Sequence, residues 1–175
     1  MNSFKINVLI YVLSKLKSIN GKKAFQKIMY FINEALNLSY RYKWWAYGPF
    51  SKELYDDLDY LISLGYVEYD INNFILNATE KLKGKEISLE SSNIRKINRI
   101  LEKLKEYTNL EPIKLELLAS IYFLRNSYSG LYDIDDTNEL YEILNLLKRD
   151  KFTKEEIVKA LNFVKEIEDI IQGKS

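Results

Sequence analysis

The chain has 175 residues and contains neither cysteine nor histidine, which excludes disulfides, thiol nucleophiles, cysteine/histidine zinc sites and histidine-dependent catalytic triads. Hydrophobic residues make up 47% of it and charged residues 29%, with a net charge of +1, which is typical of a globular protein and excludes a disordered one. The length suffices for one ordinary domain, or for a small domain with an appended helical part. The lack of cysteine agrees with an intracellular compartment, and we expect a cytoplasmic protein.

The beginning of the chain predicts two helices. Residues 4–16 combine helix formers and β-branched residues and should form a buried helix, with a strand over residues 8–13 as the alternative. This apolar run is too short to span a membrane and lacks a cleavage site for a signal peptide, so no membrane association is expected. Residues 22–36 carry an apolar stripe on one face, which predicts a second helix in the core with its lysines on a solvated face.

An aromatic strand, a turn and a helix are predicted next. Between residues 40 and 44, aromatic side chains alternate with basic ones at the period of two that indicates a half-buried strand. Gly48 and Pro49 should end this strand, because proline cannot donate a hydrogen bond to a ladder. Ser51 is then placed to cap a helix whose leucines recur at helical spacing, and Gly65 is placed to end it.

A β-hairpin follows this helix, with a strand over residues 66–69, a polar turn and a returning strand over residues 74–76. A helix that ends in glycine and runs into a hairpin forms the second half of a winged-helix unit. We therefore predict a mainly α protein with a small β-sheet (α+β). Its winged-helix-like part spans residues 1–90 and its helical part residues 91–175. Without a linker rich in proline, glycine or serine, the two should pack as one compact body.

Several of these segments also carry a resemblance to known proteins. The residues concerned are 23–31 (KAFQKIMYF), 45–54 (WAYGPFSKEL), 57–58 (DL), Leu61, 65–67 (GYV) and 76–84 (LNATEKLKG). In them the chain resembles the YwgA-type proteins of bacteria and archaea and, more distantly, the SocA-like antitoxin domains called Panacea. The resemblance covers residues 4–84 and departs from the Panacea pattern at Phe25, where leucine is usual. It implies an interaction or regulatory module, brings no catalytic signature and does not say what is bound.

The second half of the chain predicts further helices. Residues 92–107 carry apolar side chains at three-four spacing, so this helix is either a homodimer seam or packs on the rest of the second half. Pro112 opens the next helix, residues 113–124, which is apolar on most sides and should be the centre of the C-terminal core. Thr153 and Glu156 have the spacing of a capping box at the start of the last helix.

The irregular loop 126–137 contains three aspartates: Asp133, Asp135 and Asp136. A calcium-binding loop would need glycine and glutamate where this chain has Asn138 and Leu144. Asp136 and Glu139 instead have the spacing of a capping box, so we favour a helix cap over a weak metal site. No cofactor or metal is expected.

Charge is segregated along the chain. Residues 1–47 carry eight basic side chains and one acidic one, whereas residues 48–80 carry one basic side chain and seven acidic ones. The helix that would enter the major groove in a DNA-binding winged helix is therefore acidic, which disfavours that docking. A basic patch on the first two helices and the aromatic strand either binds duplex DNA or merely balances the acidic helix. The residues of this patch are Lys15, Lys17, Lys22, Lys23, Lys27, Arg41 and Lys43.

We favour a non-enzymatic recognition module, antitoxin-like or regulatory, that binds a protein partner, with a DNA-binding regulator as the alternative. Exposed tryptophan and tyrosine are typical interface anchors, although some aromatic residues of the 44–50 turn must belong to the core. Catalysis is disfavoured because phosphate-binding loops, nucleophile elbows and histidine are missing from the sequence. The candidate partner-binding residues are Trp44, Trp45, Tyr47, Phe50, Glu53, Asp56 and Asp57.

Overall fold

The computed structural model describes residues 3–174, which form eight helices and five short strands. In chain order these are α1 (Ser3–Leu16), β1 (Ser18–Ile19), α2 (Gly21–Leu36), β2 (Lys43–Trp45), β3 (Gly48–Phe50), α3 (Lys52–Ser63), β4 (Val67–Asp70), β5 (Ile75–Ala78), α4 (Glu80–Lys83), α5 (Ser91–Thr108), α6 (Pro112–Tyr128), α7 (Thr137–Lys148) and α8 (Lys154–Ile171). The protein is therefore mainly α with a small amount of antiparallel β-structure, as the sequence predicts.

The first sheet contains three antiparallel strands in the order β1-β5-β4. The central strand β5 pairs with both neighbours, through Ile19 opposite Leu76 and through Val67 opposite Ala78. It begins one residue later than predicted, because Phe74 has a φ of 56° and lies in the turn. The two-residue strand β1 was not predicted, since so short a segment forms a strand only by pairing with β5. With α1, α2 and α3, this sheet makes up the part of the chain that the sequence predicts to be winged-helix-like.

The second sheet is the hairpin of β2 and β3, and it shows that one prediction was wrong. Gly48 and Pro49 do not lead directly into a helix but form the returning strand, opposite Trp45 and Trp44 respectively. A two-residue turn, 46–47, connects the strands. Proline is compatible with this position because the strand lies at the edge of a two-stranded sheet.

The predicted helix caps are confirmed. Ser51 caps α3, its hydroxyl accepting a hydrogen bond from the backbone N–H of Leu54 at 3.3 Å. Asp136 caps α7 by accepting from two backbone N–H groups at 2.8 and 2.9 Å. The predicted capping box is incomplete, because Glu139 accepts from the N–H of Asp133 and not from that of Asp136. Thr153 and Glu156 form the capping box at the start of α8. These helix starts follow from local sequence, because each cap satisfies orphan N–H groups within its own first turn.

Helix α2 is the centre of the core. It packs against α3, β1, β3 and β5 of the winged-helix-like part and against α5, α6 and α8 of the helical part. On α2, Tyr30 and Phe31 contact the ring of Tyr122 on α6, with centroid separations of 5.5 and 5.3 Å. One hydrophobic core therefore spans both parts of the chain.

The apolar stripe of α5 faces this same core, which corrects the prediction of a homodimer seam over residues 92–107. Ile97, Ile100, Leu101 and Leu104 are at most 2% exposed, and α5 packs against α2 and α8. A dimer seam needs an apolar stripe that is open to a second chain. Here that stripe is already covered within one chain.

Two amide side chains on α2 hold the segment 40–51 in place. Asn33 donates to the carbonyl of Tyr40 at 3.2 Å and accepts from its N–H at 2.9 Å. Two helical turns earlier, Gln26 donates to the carbonyl of Ser51 at 2.9 Å and accepts from its N–H at 3.1 Å. Each amide thus satisfies one buried N–H and one buried C=O, and both ends of the segment are fixed to the same helix.

Replacing Asn33 by leucine should lower the free energy of unfolding by about 3 kcal/mol. The substitution introduces an apolar side chain of similar size, which leaves the buried N–H and C=O of Tyr40 without partners. Urea denaturation followed by circular dichroism measures the change. The matched control is Asn162→Leu on the exposed face of α8, which should alter stability by less than about 0.5 kcal/mol. Equal stabilities of the two variants would contradict a stabilising role for the hydrogen bonds between Asn33 and Tyr40.

Candidate functional site

The four aromatic candidates of the β2–β3 hairpin divide into two groups. Trp45 and Tyr47 lie on the outer face and are 66% and 55% exposed. Trp44 is half-buried against Phe123 of α6, with the ring centroids 5.8 Å apart. Phe50 is also half-buried and lies 6.4 Å from the Trp45 ring. Of these four residues, Trp45 and Tyr47 are the two whose side chains are mostly exposed to solvent.

Gly48 allows the hairpin to approach α6 closely. Its φ is 84°, and a Cβ at this position would lie 2.7 Å from the hydroxyl oxygen of Ser120. Both the backbone conformation and the lack of space therefore require glycine. The Ser120 hydroxyl is buried and has no hydrogen-bond partner within residues 3–174. On the same side of the hairpin, the Lys148 ammonium donates to the carbonyl of Ala46 at 3.5 Å.

A buried carboxylate, that of Glu116 on α6, gathers three lysines beneath the hairpin. Its oxygens lie 3.2 Å from Lys23 Nζ, 3.1 Å from Lys148 Nζ and 2.9 Å from Lys151 Nζ. Burial favours the neutral acid, but the hydrogen bond from Lys151 and the charge of Lys148 hold the pKa of Glu116 below its ordinary value. The charged carboxylate thereby ties α2, α6 and α7 together.

Sequence reasoning missed this cluster, because Glu116 lies 93 residues from Lys23 and 32 from Lys148. One signal was available. Glu116 is the only charged residue between Lys114 and Arg125, in a helix that is otherwise apolar on most sides. A charge in such a place indicates a buried ion pair, since acidic residues are almost never fully buried alone.

Lys27 is the least exposed lysine of this region, at 2%. Its ammonium donates to the carbonyl of Pro49 at 2.6 Å, and no carboxylate of residues 3–174 pairs with it. Burial lowers the pKa of Lys27 to about 7; the charge of Glu116 opposes this shift, and those of Lys148 and Lys23 add to it. The prediction of a solvated lysine was wrong here, because β3 covers the face of α2 that carries Lys27.

A cavity of about 220 Å³ opens between the hairpin and the first turns of α2 and α3. Lysine side chains and aromatic rings line it, among them Lys22, Lys23, Lys27, Trp45, Phe50 and Tyr55. Ligand sites commonly combine apolar walls with a few polar groups that fix orientation. This combination suits a group that carries negative charge on an apolar stem.

Several of the basic residues proposed as a nucleic-acid patch are buried or paired with acidic groups of the chain. Lys27 is buried, Lys22 pairs with Asp59 at 2.6 Å, and Arg41 pairs with Glu53 at 2.7 Å. Lys23 belongs to the buried cluster around Glu116. The candidates that are exposed and form no ion pair within the described chain are Lys15, Lys17 and Lys43.

The acidic candidates on α3 also have partners within the chain. Glu53 binds the guanidinium of Arg41, and Asp56 pairs with Lys52 one turn away. Asp57 accepts a hydrogen bond from the Tyr40 hydroxyl at 2.6 Å. Much of the acidic charge of α3 is therefore neutralised or hydrogen-bonded before any partner binds.

The three aspartates of the 126–137 loop also bind groups of the chain itself. Asp133 accepts from the N–H groups of Asp135 and Asp136, and Asp135 pairs with Lys165 at 2.8 Å. Asp136 caps α7, as described above. Among residues 3–174, no group of three or more potential ligands is arranged to hold a metal ion.

Gly48→Ala should destabilise the protein by about 2 kcal/mol or more, because the new Cβ meets Ser120 and the positive φ disfavours a side chain. The matched control is Gly65→Ala, which has a φ of 71° and open space around the new Cβ, and should cost about 1 kcal/mol. Adding Ser120→Ala should bring Gly48→Ala close to the control. Urea denaturation measures the stability of the three variants. If Ser120→Ala does not restore stability to Gly48→Ala, the close approach of Gly48 to Ser120 is contradicted.

The stability of the wild type relative to Lys27→Met should rise with pH between about 7 and 10.5. The pKa of Lys27 is about 7 in the folded chain and 10.5 in the unfolded chain, so the unfolded chain binds more protons across this window. The slope should be at most about 1.4 kcal/mol per pH unit, and it should vanish below the window, where both states are protonated. Urea denaturation of both proteins across this range measures it; a pH-independent difference would contradict the buried, unpaired ammonium.

Neither the models of known protein families nor the sequences of curated proteins match this chain. The resemblance to YwgA-type and Panacea proteins therefore remains a prediction from the sequence. None of the helices formed by residues 3–174 combines the length and the apolar character needed to cross a membrane.

Proposed function

We propose that the protein is a non-enzymatic recognition module that binds a protein partner through the outer face of the β2–β3 hairpin. The observation that carries this proposal is the exposure of Trp45 and Tyr47, at 66% and 55%. Tryptophan and tyrosine are enriched among the residues that dominate binding energy at protein interfaces. A regulatory or antitoxin-like role, which the predicted resemblance implies, is compatible with such a surface.

Rigid support of the hairpin is the second argument. Gln26 holds Ser51 by two hydrogen bonds, Lys27 holds the carbonyl of Pro49, and Gly48 lies against α6. A surface that is fixed before binding loses little conformational entropy in the complex. Trp45 and Tyr47 are thus presented on a backbone that does not have to become ordered.

The charges around the two aromatic rings favour a partner with an acidic surface. Lys23 Nζ lies 4.5 Å and Lys151 Nζ 5.6 Å from the centre of the Tyr47 ring. On the other side of the hairpin, Lys43 lines a surface groove together with Trp45. Complementary charge steers association and selects among partners.

Duplex DNA is the weaker alternative. The exposed basic candidates without ion pairs, Lys15, Lys17 and Lys43, are few compared with the roughly 6–10 phosphate contacts of strongly salt-dependent DNA binders. Helix α3, which would enter the major groove, carries Glu53, Asp56 and further acidic side chains. Phosphates would be repelled there.

We place this module in the cytoplasm, since a chain without cysteine gains nothing from an oxidising compartment. A catalytic role is not part of the proposal. The sequence offers no histidine, no phosphate-binding loop and no nucleophile elbow.

Panning a phage-displayed library of random peptides against the full chain should enrich binders. Combining Trp45→Ala with Tyr47→Ala should weaken these binders at least about tenfold, because truncating interface anchors commonly costs 2 kcal/mol or more. Fluorescence anisotropy of labelled peptides measures the dissociation constants. The matched control is Leu146→Ala on α7, where the leucine is 84% exposed and lies outside the hairpin, and it should leave binding unchanged.

Random-sequence duplex DNA should be titrated in parallel at low and at moderate salt, and we expect weak binding in both. Tight, salt-sensitive binding that is lost when Lys15 and Lys17 are changed to glutamate would favour the DNA alternative. A library that yields no peptide dependent on Trp45 and Tyr47 would overturn the proposed function.

A further inference from the structure

We propose that the cavity beside Lys27 receives an aspartate or glutamate side chain of the protein partner, whose carboxylate pairs with the Lys27 ammonium. This inference rests on the proposed function and specifies the partner's chemistry: an acidic residue next to the apolar or aromatic residues that contact Trp45 and Tyr47.

The buried cluster contains more positive than negative charge. Four lysines, Lys23, Lys27, Lys148 and Lys151, surround the single carboxylate of Glu116. That carboxylate hydrogen-bonds the other three lysines but not Lys27. Burying an ammonium without a counter-charge is costly, so an added carboxylate stabilises the cluster.

Lys27 also has unused hydrogen-bonding capacity. An ammonium group has three N–H donors, and within residues 3–174 its acceptor is the carbonyl of Pro49. The side chain is 2% exposed yet lines the 220 Å³ cavity, so a group that enters the cavity can reach it without displacing the hairpin. Charge-assisted hydrogen bonds of this kind are roughly twice as strong as neutral ones.

The shape and walls of the cavity favour a side chain over a free inorganic anion. Its volume of about 220 Å³ is room for a carboxylate on a short apolar stem. Trp45, Phe50 and Tyr55 form its apolar walls, and a stem of methylene groups gains from contact with them. A fully hydrated phosphate would leave these walls without a matching surface.

The other lysines at the mouth of the cavity are already occupied. Lys22 pairs with Asp59 at 2.6 Å and donates to the Tyr55 hydroxyl at 3.2 Å. Lys23 pairs with Glu116 at 3.2 Å. Both attract an acidic group towards the opening, but Lys27 is the cavity-lining lysine that lacks a carboxylate partner in the described chain.

The test uses the full chain and the random-peptide library. Enriched peptides should contain aspartate or glutamate, and Lys27→Met should weaken them about 10- to 100-fold. Changing the peptide's acidic residue to its amide should weaken binding to the wild type by a similar factor but leave binding to Lys27→Met almost unchanged. The matched control is Lys17→Met, an exposed lysine away from the cavity, which should have no effect.

A second measurement on the wild type alone keeps the proposal testable if Lys27→Met does not fold. A carbodiimide crosslinker joins a carboxylate to a lysine that it touches, and mass spectrometry should locate the crosslink from the peptide's acidic residue at Lys27. Crosslinks confined to Lys23, Lys151 or other lysines would overturn the proposal.

The remaining outcomes separate this inference from the proposed function. Peptides that depend on Trp45 and Tyr47 but bind Lys27→Met equally well would overturn the carboxylate site and leave the recognition surface standing. Full displacement of the peptides by millimolar inorganic phosphate or acetate would also overturn it, because the cavity would then accept any small anion. The proposal is supported if Lys27→Met and the amide substitution in the peptide each weaken binding alone but cause little further loss when they are combined.

Discussion

The structure depends on how helix α2 satisfies polar groups inside the core. Its buried face carries Gln26, Lys27 and Asn33 among apolar residues, and each of the three binds the backbone of the segment that follows. Because an unpaired buried polar group is costly, the segment 40–51 is fixed to this helix at both ends, with a third bond at Pro49. The hairpin, its outward aromatic rings and the cavity all take their positions from these bonds.

Charge plays a different role on the two sides of α2. On the outer side, basic residues of the first half neutralise the acidic helix α3 through pairs such as Lys22 with Asp59 and Arg41 with Glu53. On the inner side, lysines from α2 and α7 converge on Glu116 of α6 and leave positive charge in excess. Although the net charge of the chain is only +1, the charges around α3 balance one another, whereas positive charge is in excess around Glu116. The proposed recognition of an acidic partner rests on the second region.

The motif residues behind the family resemblance divide between two tasks. Gln26, Gly48 and Ser51 hold the backbone in place, and substituting them should act on stability first. Trp45 and Tyr47 contribute little to the core and remain exposed. Exposing large apolar side chains to water is unfavourable, and a partner that covers them would remove this cost. A rigid base with exposed aromatic anchors is the arrangement that makes a small module an effective binder.

The sequence by itself determined the fold class, the course of the long helices and most of their caps, because periodicity and capping act within a few residues of the chain. It also identified the aromatic turn. Only the tertiary structure decided that Gly48 and Pro49 form a strand, that α5 is covered by the core and that Lys27 is buried. The cluster around Glu116 likewise joins residues as many as 93 positions apart. Such contacts depend on which elements meet in space, and no local pattern in one sequence encodes that.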